Sequence, residues 1–226
     1  MSTATLDRAL IERLVRAALG GQANGNGHGA NGKPKARPGL VVNVSARHCH
    51  VTPEDLERLY GKGHRLKPYK ALYQDGFFAA EETVTLIGPR QRMIPNLRIL
   101  GPCRDHTQVE LAFSDAIMLG LDIPVRKSGN IADSPGAYLM GPAGMVRMER
   151  GVIRHERHVH MGPEDAAAYG VKDGDRLHLR VRSDCSAVLE DLLVRVAAGG
   201  KLEVHLDTDE GNACNLSRAT KTELFK

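Results

Sequence analysis

Two His-x-His pairs are the residues whose types and spacing most directly suggest chemistry. His48 and His50 form the first pair, and His158 and His160 form the second. Side chains two residues apart on a β-strand point to the same face, so each pair would present two imidazoles together. Zinc commonly completes such a site with a carboxylate or a third histidine. A single pair would be interpreted as ordinary surface or core histidines, but two pairs predict metal binding. A histidine-rich anion pocket without metal is the alternative.

The sequence around the two pairs is repeated. HCHVTPEDLERLYG, from His48, aligns with HVHMGPEDAAAYG, from His158, and both segments reach Pro-Glu-Asp three residues after the second histidine. Further along, QVELAFSDA aligns more weakly with EVHLDTDEG, which makes Glu110 and His205 counterparts. Each half therefore offers one His-x-His pair and one later candidate ligand.

Other reactive side chains lie close to these candidates in the sequence. Without cysteine in the proposed ligand sets, a catalytic zinc is favoured over a purely structural one, and copper or iron is not excluded. Cys49 and Cys103 could enter a metal shell, although a buried free thiol is the commoner role. Arg104 shortly precedes Glu110, where a guanidinium could bind a phosphate oxygen or stabilise an oxyanion. The remaining histidines lack this spacing and receive no role: His28, His64, His106, His155 and His178.

Short apolar or alternating runs dominate the chain from Leu40 onward and predict strands. The runs are LVVNVSA, TVTLIG, LRILG, QVELAF, RLHLRV, AVLEDLLVRV and KLEVHL. Helices are predicted only briefly, at Pro53 to Tyr60 and at Pro163 to Tyr169, each beginning with Pro-Glu-Asp. We therefore predict a mostly β fold with two similar β-barrel domains capped by short helices. Their expected bounds are residues 40–126 and 145–226, with a crossover at 127–144.

The N-terminal region has a different composition. Residues 1–20 place Leu6, Leu10 and Leu14 on one face of an amphipathic helix, and residues 21–39 form a Gly/Asn/Pro-rich flexible linker. A helix on such a linker favours docking against another protein over packing onto its own domain. Binding to a membrane surface is a third option, weakened by the mixed charges and the lack of aromatic anchors.

Composition narrows the partners. The formal charge is +4 and the basic residues are scattered among acids, which is a weak basis for nucleic-acid binding but suits a small anion. The four cysteines have no C-x-x-C spacing, and no apolar run is long enough to span a membrane. We expect reduced thiols in a soluble cytoplasmic protein, without nucleic acid or membrane as partners.

Four segments together resemble the PduL-type phosphate propanoyltransferases of bacterial microcompartments. They are VNVSARHCHVTPEDLERLYG, GPCRDHTQVELAFSDAIMLG, RHVHMGPEDA and HLDTDEGNA. The resemblance covers about Val41 to Asn215 and implies paired β-barrels that hold two zinc ions. It also implies reversible acyl transfer between coenzyme A and phosphate. The N-terminal helix and linker resemble the encapsulation peptides that bind shell or cargo proteins, which implies a location in the microcompartment lumen.

The resemblance also assigns residues. It places the metal ligands at His48, His50, Glu110, His158, His160 and His205, and the phosphate-contacting arginine at Arg104. It places coenzyme A contacts at Ser45, Lys70, Arg98, Leu100, His205 and Asn212. One departure is Gly211, where the family pattern predicts alanine. The sequence leaves the division of ligands between the ions, the preferred acyl chain and the oligomeric state open, a homo-oligomer included.

The mechanism we expect is direct attack of metal-bound phosphate on the thioester of propanoyl-CoA, with Arg104 neutralising developing charge. No Ser-His type of nucleophile and base is evident, and Cys49 or Cys103 as a covalent nucleophile is the less favoured variant. Two other functions stay open at this point. They are a two-metal hydrolase, in which water attacks, and a non-catalytic microcompartment scaffold stapled by its metals.

Overall fold

The computed structural model describes residues 40–226, and this part of the chain is mostly β-structure. Its strands are β1 (Val41–Val44), β2 (His48–His50), β3 (Pro68–Ala71), β4 (Phe78–Ile87), β5 (Met93–Gly101), β6 (Gln108–Glu110), β7 (Val125–Arg126), β8 (Tyr138–Met140), β9 (Met145–Arg147), β10 (Val152–His155), β11 (His158–Met161), β12 (Arg176–Arg182), β13 (Ala187–Val196), β14 (Glu203–Leu206) and β15 (Lys221–Phe225). Its helices are α1 (Pro53–Tyr60), α2 (Phe113–Leu119), α3 (Pro163–Tyr169), α4 (Thr208–Ala213) and a 3-10 helix (Leu216–Arg218). The predicted helix at residues 1–20 and linker at 21–39 lie outside the described residues.

The strands form two curled sheets, each with its own apolar core. The first sheet has the order β7-β10-β6-β2-β5-β4-β8-β9, with β3 paired to β4. The second has the order β1-β14-β11-β13-β12-β15. Leu86 and Leu97 are among the buried side chains of the first core, and Leu177 and Leu192 are among those of the second. The predicted mostly β fold with two barrel-like halves is confirmed. Within residues 40–226, no helix is long and apolar enough to cross a membrane.

Both predicted helices have the bounds expected from the sequence. In α1, Pro53 occupies the first turn and Thr52 accepts a hydrogen bond from the backbone N–H of Asp55 at 3.1 Å. These features satisfy amide groups that a helix start leaves without partners. Leu56 and Leu59 then bury the inner face. The sequence analysis missed α2 and α4, although the Asp-x-x-Glu pattern of Asp207 and Glu210 forms a reciprocal cap at the start of α4.

The repeat is visible in the pairing of the strands. His48 lies opposite Glu110 in the antiparallel pair β2–β6, and His158 lies opposite His205 in the antiparallel pair β11–β14. These equal registers support the weaker of the two sequence alignments. Ser114 and Asp209, which are counterparts in that alignment, hydrogen-bond to each other, with 2.6 Å between Ser114 Oγ and Asp209 Oδ1. An approximate twofold axis therefore relates the two halves, and it passes close to this contact.

The leading strand of each repeat is exchanged between the sheets. β1 precedes β2 in the chain but pairs in parallel with β14, and β10 precedes β11 but pairs in parallel with β6. The sheets consequently do not divide at the bounds expected from the sequence. β1 belongs to the second sheet, while β8, β9 and β10 belong to the first. A repeat shows which segments are alike, but a parallel partner far along the chain leaves no local pattern.

Charged side chains connect the two sheets beside this exchange. Arg154, on β10, forms ion pairs with Asp207 and with Glu210, and its contact with Glu210 is 2.7 Å. Arg157 also contacts Glu210 at 2.7 Å. Because Asp207 is 1% exposed and Glu210 is 7% exposed, these carboxylates need the two arginines to offset the cost of burying charge. The network holds α4 against β10.

Candidate active site

The first cluster consists of His48, His50 and Glu110. Their candidate ligand atoms all lie within 4.8 Å of one another, and all three residues are buried. The imidazoles of His48 and His50 project to the same side of β2, with ring centroids 5.1 Å apart. Glu110 Oε2 faces His48 Nε2 at 3.4 Å. The structure therefore brings together the three residues that the repeat suggested for one site.

Hydrogen bonds orient each member of the first cluster. His48 Nδ1 lies 2.8 Å from the carbonyl of Ala46, and His50 Nδ1 lies 3.2 Å from the carbonyl of Leu100. Each Nδ1–H can donate to its carbonyl, which leaves the Nε2 lone pair free. Glu110 Oε1 accepts hydrogen bonds from Gln108 and Ser128, both at 2.7 Å. These contacts leave two imidazole nitrogens and Glu110 Oε2 for a cation.

The second cluster consists of His158, His160 and His205, whose candidate ligand atoms also lie within 4.8 Å of one another. His158 and His205 stack with ring centroids 4.9 Å apart. His158 Nδ1 lies 2.7 Å from the carbonyl of Glu156. Ser45 Oγ lies 2.7 Å from His205 Nδ1, so the exchanged strand leads directly into this cluster. The predicted third residue is again in place.

A carboxylate stands beside the second cluster. Glu203 Oε2 lies 3.0 Å from His205 Nε2, and within residues 40–226 this nitrogen forms an ion-pair contact but no hydrogen bond. Asn43 and Gln74 donate hydrogen bonds to Glu203 at 2.6 Å and 2.7 Å. Burial works to raise the pKa of Glu203, but contacts with His205, Gln74 and Asn43 lower it to about 2. Glu203 is therefore ionised at neutral pH.

The imidazoles are in the form that binds a cation. Burial lowers the pKa of His50 to about 3 and that of His160 to about 4. Burial also lowers the pKa of His48 and of His158, so the four imidazoles are neutral at pH 7. For Glu110, burial works to raise the pKa, but the attraction of His48 and neighbouring histidines lowers it overall. Neutral imidazoles and an ionised carboxylate are the forms that metal coordination requires.

Two arginines lie beside the clusters. Arg104 donates a hydrogen bond to Ser128 Oγ at 3.0 Å, and Ser128 in turn donates to Glu110. Arg195, on β13, is paired in register with His160. Burial lowers the pKa of both arginines, and the positive charge of Arg195 lowers that of Arg104 further. Two guanidiniums within electrostatic reach of each other favour an anion between them.

The residues assigned to coenzyme A by resemblance are distributed over both sheets. Ser45 contacts His205, and Asn212 lines a cavity of about 310 Å³ with Val42 and Val44. A Cβ on neighbouring Gly211 would lie 2.6 Å from Val44 Cγ2, so glycine suits the close packing of β1 against α4. The packing thus gives a reason for the one departure from the family pattern.

The remaining three residues of that set lie in the first sheet. Lys70 is exposed on β3. Arg98 donates to the carbonyls of Ala80 and Glu81, both at 2.9 Å, and its guanidinium lies over the ring of Tyr69. Leu100 contributes its carbonyl to the orientation of His50. The guanidinium of Arg98 is therefore hydrogen-bonded within the protein, and the carbonyl of Leu100 orients a histidine of the first cluster.

The cysteines near the first cluster are poorly suited to act as nucleophiles. Cys49 is fully buried, and burial strongly raises the pKa of its thiol. Its side chain alternates away from His48 and His50 into the first core, where Sγ lies 3.7 Å from the carbonyl of Arg98. Burial also raises the pKa of Cys103. Because the thiolate is the reactive form, neither residue is activated.

The sequence analysis missed five residues that surround the clusters: Gln108, Ser128, His155, Arg195 and Glu203. A signal existed for two of them. Gln108 precedes Glu110 by two residues and Glu203 precedes His205 by two residues, so the strand period places them on the same faces as the ligands. His155 lies three residues before His158 but without the strand spacing of a pair, while Ser128 and Arg195 come from separate segments that the fold brings to the site.

Comparison with known proteins identifies the family. The model of the phosphate propanoyltransferase family matches residues 41–217. A phosphate propanoyltransferase of Planctopirus limnophila is 54% identical over 98% of this chain and 92% of its own length. Proteins of the same name from Thermotoga maritima and Rhodopseudomonas palustris are 48% and 40% identical, over 81% and 98% of this chain and 87% and 99% of their own lengths. The chain therefore belongs to the phosphate propanoyltransferase family, a family of acyltransferases.

Proposed function

We propose that this protein is a zinc-dependent phosphate propanoyltransferase that interconverts propanoyl-CoA plus phosphate with propanoyl phosphate plus CoA. The observation that carries the proposal is the convergence of two ligand trios, with Arg104 and Arg195 beside them. Membership of the family supplies the reaction, and the geometry supplies the groups that would perform it.

The donor set fits zinc. Each cluster offers three nitrogen or oxygen atoms, and an Nδ1 contact orients His48, His50, His158 and His205. Three protein ligands without cysteine are typical of catalytic zinc, which keeps a further coordination position open. We propose that two ions bind, one at each cluster. When bound, zinc would supply Lewis acidity for the phosphate and for the thioester carbonyl.

We propose that phosphate binds where the two arginines meet the clusters. Arg104 is oriented by Ser128, and Arg195 is held on a strand next to His160. A guanidinium can donate two parallel hydrogen bonds to phosphate oxygens, which fixes orientation as well as charge. Arg104 and Arg195 would thus hold the anion in place and offset its charge as it approaches the thioester.

In the forward reaction, a phosphate oxygen attacks the thioester carbonyl carbon and forms the new C–O bond. The C–S bond then breaks, and CoA leaves as the thiolate. Arg104 would stabilise the negative charge that develops on the way. Direct transfer is favoured because the pKa values of Cys49 and Cys103 are raised, which leaves neither thiol ready to form an acyl-enzyme.

For coenzyme A we propose contacts with Ser45, Lys70, Arg98, Leu100, His205 and Asn212, as the resemblance implies. Lys70 is exposed and cationic, which suits a phosphate of the nucleotide. Asn212 lines the cavity described above. Arg98 already donates to two carbonyls, so it would contact coenzyme A through its remaining N–H groups.

The test is CoA release from propanoyl-CoA, measured with and without phosphate and with and without a zinc chelator. We expect release to require both phosphate and metal. Arg104→Ala should reduce turnover by about 10²–10³-fold, the usual effect of removing a donor to developing negative charge. The matched control is Arg180→Ala, which removes an arginine of β12 that forms an ion pair with Glu223 of β15. This variant should retain activity.

Each rival function predicts a different result. CoA release that does not need phosphate would indicate a hydrolase. A folded, metal-loaded protein without turnover would indicate a scaffold. Full turnover by Arg104→Ala would show that the role given to this arginine is wrong.

We further propose that residues 1–20 bind shell or cargo proteins and locate the enzyme in a microcompartment lumen. The helix-and-linker pattern of the sequence supports this, but the segment lies outside the described residues. Delivery to a microcompartment and assembly into a homo-oligomer stay predictions.

A further inference from the structure

His155 belongs to neither candidate ligand trio, yet it interacts with members of both. It ends β10, the exchanged strand, in which Ile153 pairs with Glu110 of β6 and His155 itself pairs with Arg126 of β7. Its ring meets the ring of His158 edge-on, with centroids 5.6 Å apart. It also interacts electrostatically with His48 and Glu110 of the first cluster. His155 therefore lies where the two clusters adjoin.

One nitrogen of His155 has no partner. The residue is 2% exposed, and its Nε2 makes no hydrogen bond within the described part of the chain. Its Nδ1 lies 3.3 Å from the carbonyl of Glu156, the group that also accepts from His158. A buried polar atom without a partner costs about 1–3 kcal/mol, so such atoms usually meet a ligand or water. A ligand between the clusters would give Nε2 its partner.

The approximate twofold axis identifies the residue of the first half that corresponds to His155. The repeat aligns His48 with His158, which makes Ser45 the counterpart of His155. Ser45 orients His205 of the second cluster through a 2.7 Å contact. In the first half, Glu110 takes the place of His205 and is already oriented by Gln108 and Ser128. His155 is therefore not needed to hold a ligand.

His155 also differs from the ligands themselves. In each trio all ligand atoms lie within 4.8 Å of one another, and His155 belongs to neither set. Arg104 and Arg195 interact electrostatically with Glu110, as His155 does, so two cationic side chains share this centre with His155. A group that adjoins both clusters, is buried and is free at Nε2 is suited to contact a substrate there.

We propose that His155 is a further phosphate-contacting residue, and that its Nε2 accepts a hydrogen bond from the P–OH group of the attacking phosphate. In the tautomer whose Nδ1–H donates to the Glu156 carbonyl, Nε2 carries a lone pair that matches this donor. Both forms of phosphate present near neutral pH carry at least one P–OH. The inference rests on the proposed function and adds a specificity contact for the acceptor substrate.

The test separates the two substrates. His155→Asn keeps a polar atom near Nδ1 but removes the one at Nε2, whereas His155→Gln can place an amide oxygen near the Nε2 position. We expect His155→Asn to raise KM for phosphate by about tenfold, the effect of one hydrogen bond to a charged ligand. KM for propanoyl-CoA should change by less than about twofold, and His155→Gln should recover part of the loss. His178→Asn, in a histidine that packs on Phe225, is the matched control.

A second readout does not depend on turnover. Isothermal calorimetry of inorganic phosphate with the zinc-loaded full-length protein, without propanoyl-CoA, should show about tenfold weaker binding for His155→Asn. Zinc content and the melting temperature should match the wild type. Loss of zinc would make His155 a ligand and overturn the proposal. An unchanged phosphate affinity, or equal changes in both KM values, would also overturn it.

Different results would contradict the proposed function and the role of His155. If the wild-type protein releases CoA without phosphate, the proposed function is wrong. If the wild type requires phosphate but both His155 variants behave like it, only the role of His155 is wrong.

Discussion

The two halves of the protein place a carboxylate differently, within the candidate ligand trio in the first half and beside the trio in the second. In the first half, Glu110 is itself one of the three candidate ligands, and the amide of Gln108 orients it. In the second half, His205 takes the ligand position, and Glu203 takes the position of Gln108. On the two equivalent strands, the carboxylate therefore occupies positions that differ by two residues. It belongs to the candidate ligand trio in the first half and lies beside the trio in the second.

This difference should separate the chemical roles of the sites. The first trio contains an ionised carboxylate that would neutralise part of a dication bound there, whereas the second trio consists of three histidines. Glu203 is ionised and anchored by Asn43 and Gln74, and its charge acts on His205 and His160 from outside the trio. In a buried site such charge differences are weakly screened. We expect the first site to bind metal more tightly and the second to leave more positive charge for substrate.

Removing the ligand carboxylate should have the largest effect. Glu110→Ala deletes a proposed ligand, so we expect transferase turnover to fall by more than about 100-fold, beyond the loss usual for groups outside the ligand set. Zinc analysis should find one ion fewer in each chain. Glu149→Ala, in an exposed carboxylate paired with Arg147, is the control. Retention of both ions by Glu110→Ala would break the comparison, because Glu110 would then not be a ligand.

An intermediate effect is expected at the second site. Glu203→Gln gives the second half the amide that the first half has at Gln108, and it removes the charge beside His205. We expect zinc affinity at this site to fall by about 10–100-fold, as for other groups that act through a ligand. Competition with a chromophoric chelator would measure it. If the affinity of the first site fell instead, the assignment of the two carboxylates to separate sites would be wrong.

The smallest effect concerns a pair of equivalent ion pairs. Arg47 contacts Asp115 at 2.7 Å, and its counterpart Arg157 contacts Glu210, the counterpart of Asp115, at the same distance. Arg47 is 50% exposed, so Arg47→Ala should lower the free energy of unfolding by less than about 1 kcal/mol. Glu210 is 7% exposed, so Arg157→Ala should cost more, about 1–3 kcal/mol.

Urea denaturation of the two variants side by side would measure these costs. Equal costs would contradict the view that burial, rather than geometry, distinguishes the two ion pairs. A larger cost for Arg47→Ala would reverse it.

The sequence by itself determined the local structure and the ligand types. The Pro-Glu-Asp starts predicted both α1 and α3, because a helix start has its own local requirements for proline, acids and caps. The alternation of strands predicted that the histidines of each pair share a face. The sequence repeat then assigned Glu110 to the first histidine pair and His205 to the second, because repeated segments adopt the same strand register.

Only the tertiary structure decided how the halves combine and what surrounds the ligands. The exchange of β1 and β10 depends on parallel pairing between distant segments, which no local pattern encodes. It is this exchange that brings Ser45 to the second cluster and His155 to the junction of both. Arg195 and Ser128 likewise lie in segments far from the ligands along the chain. Their contacts arise from folding at long range, and sequence spacing carries no information about them.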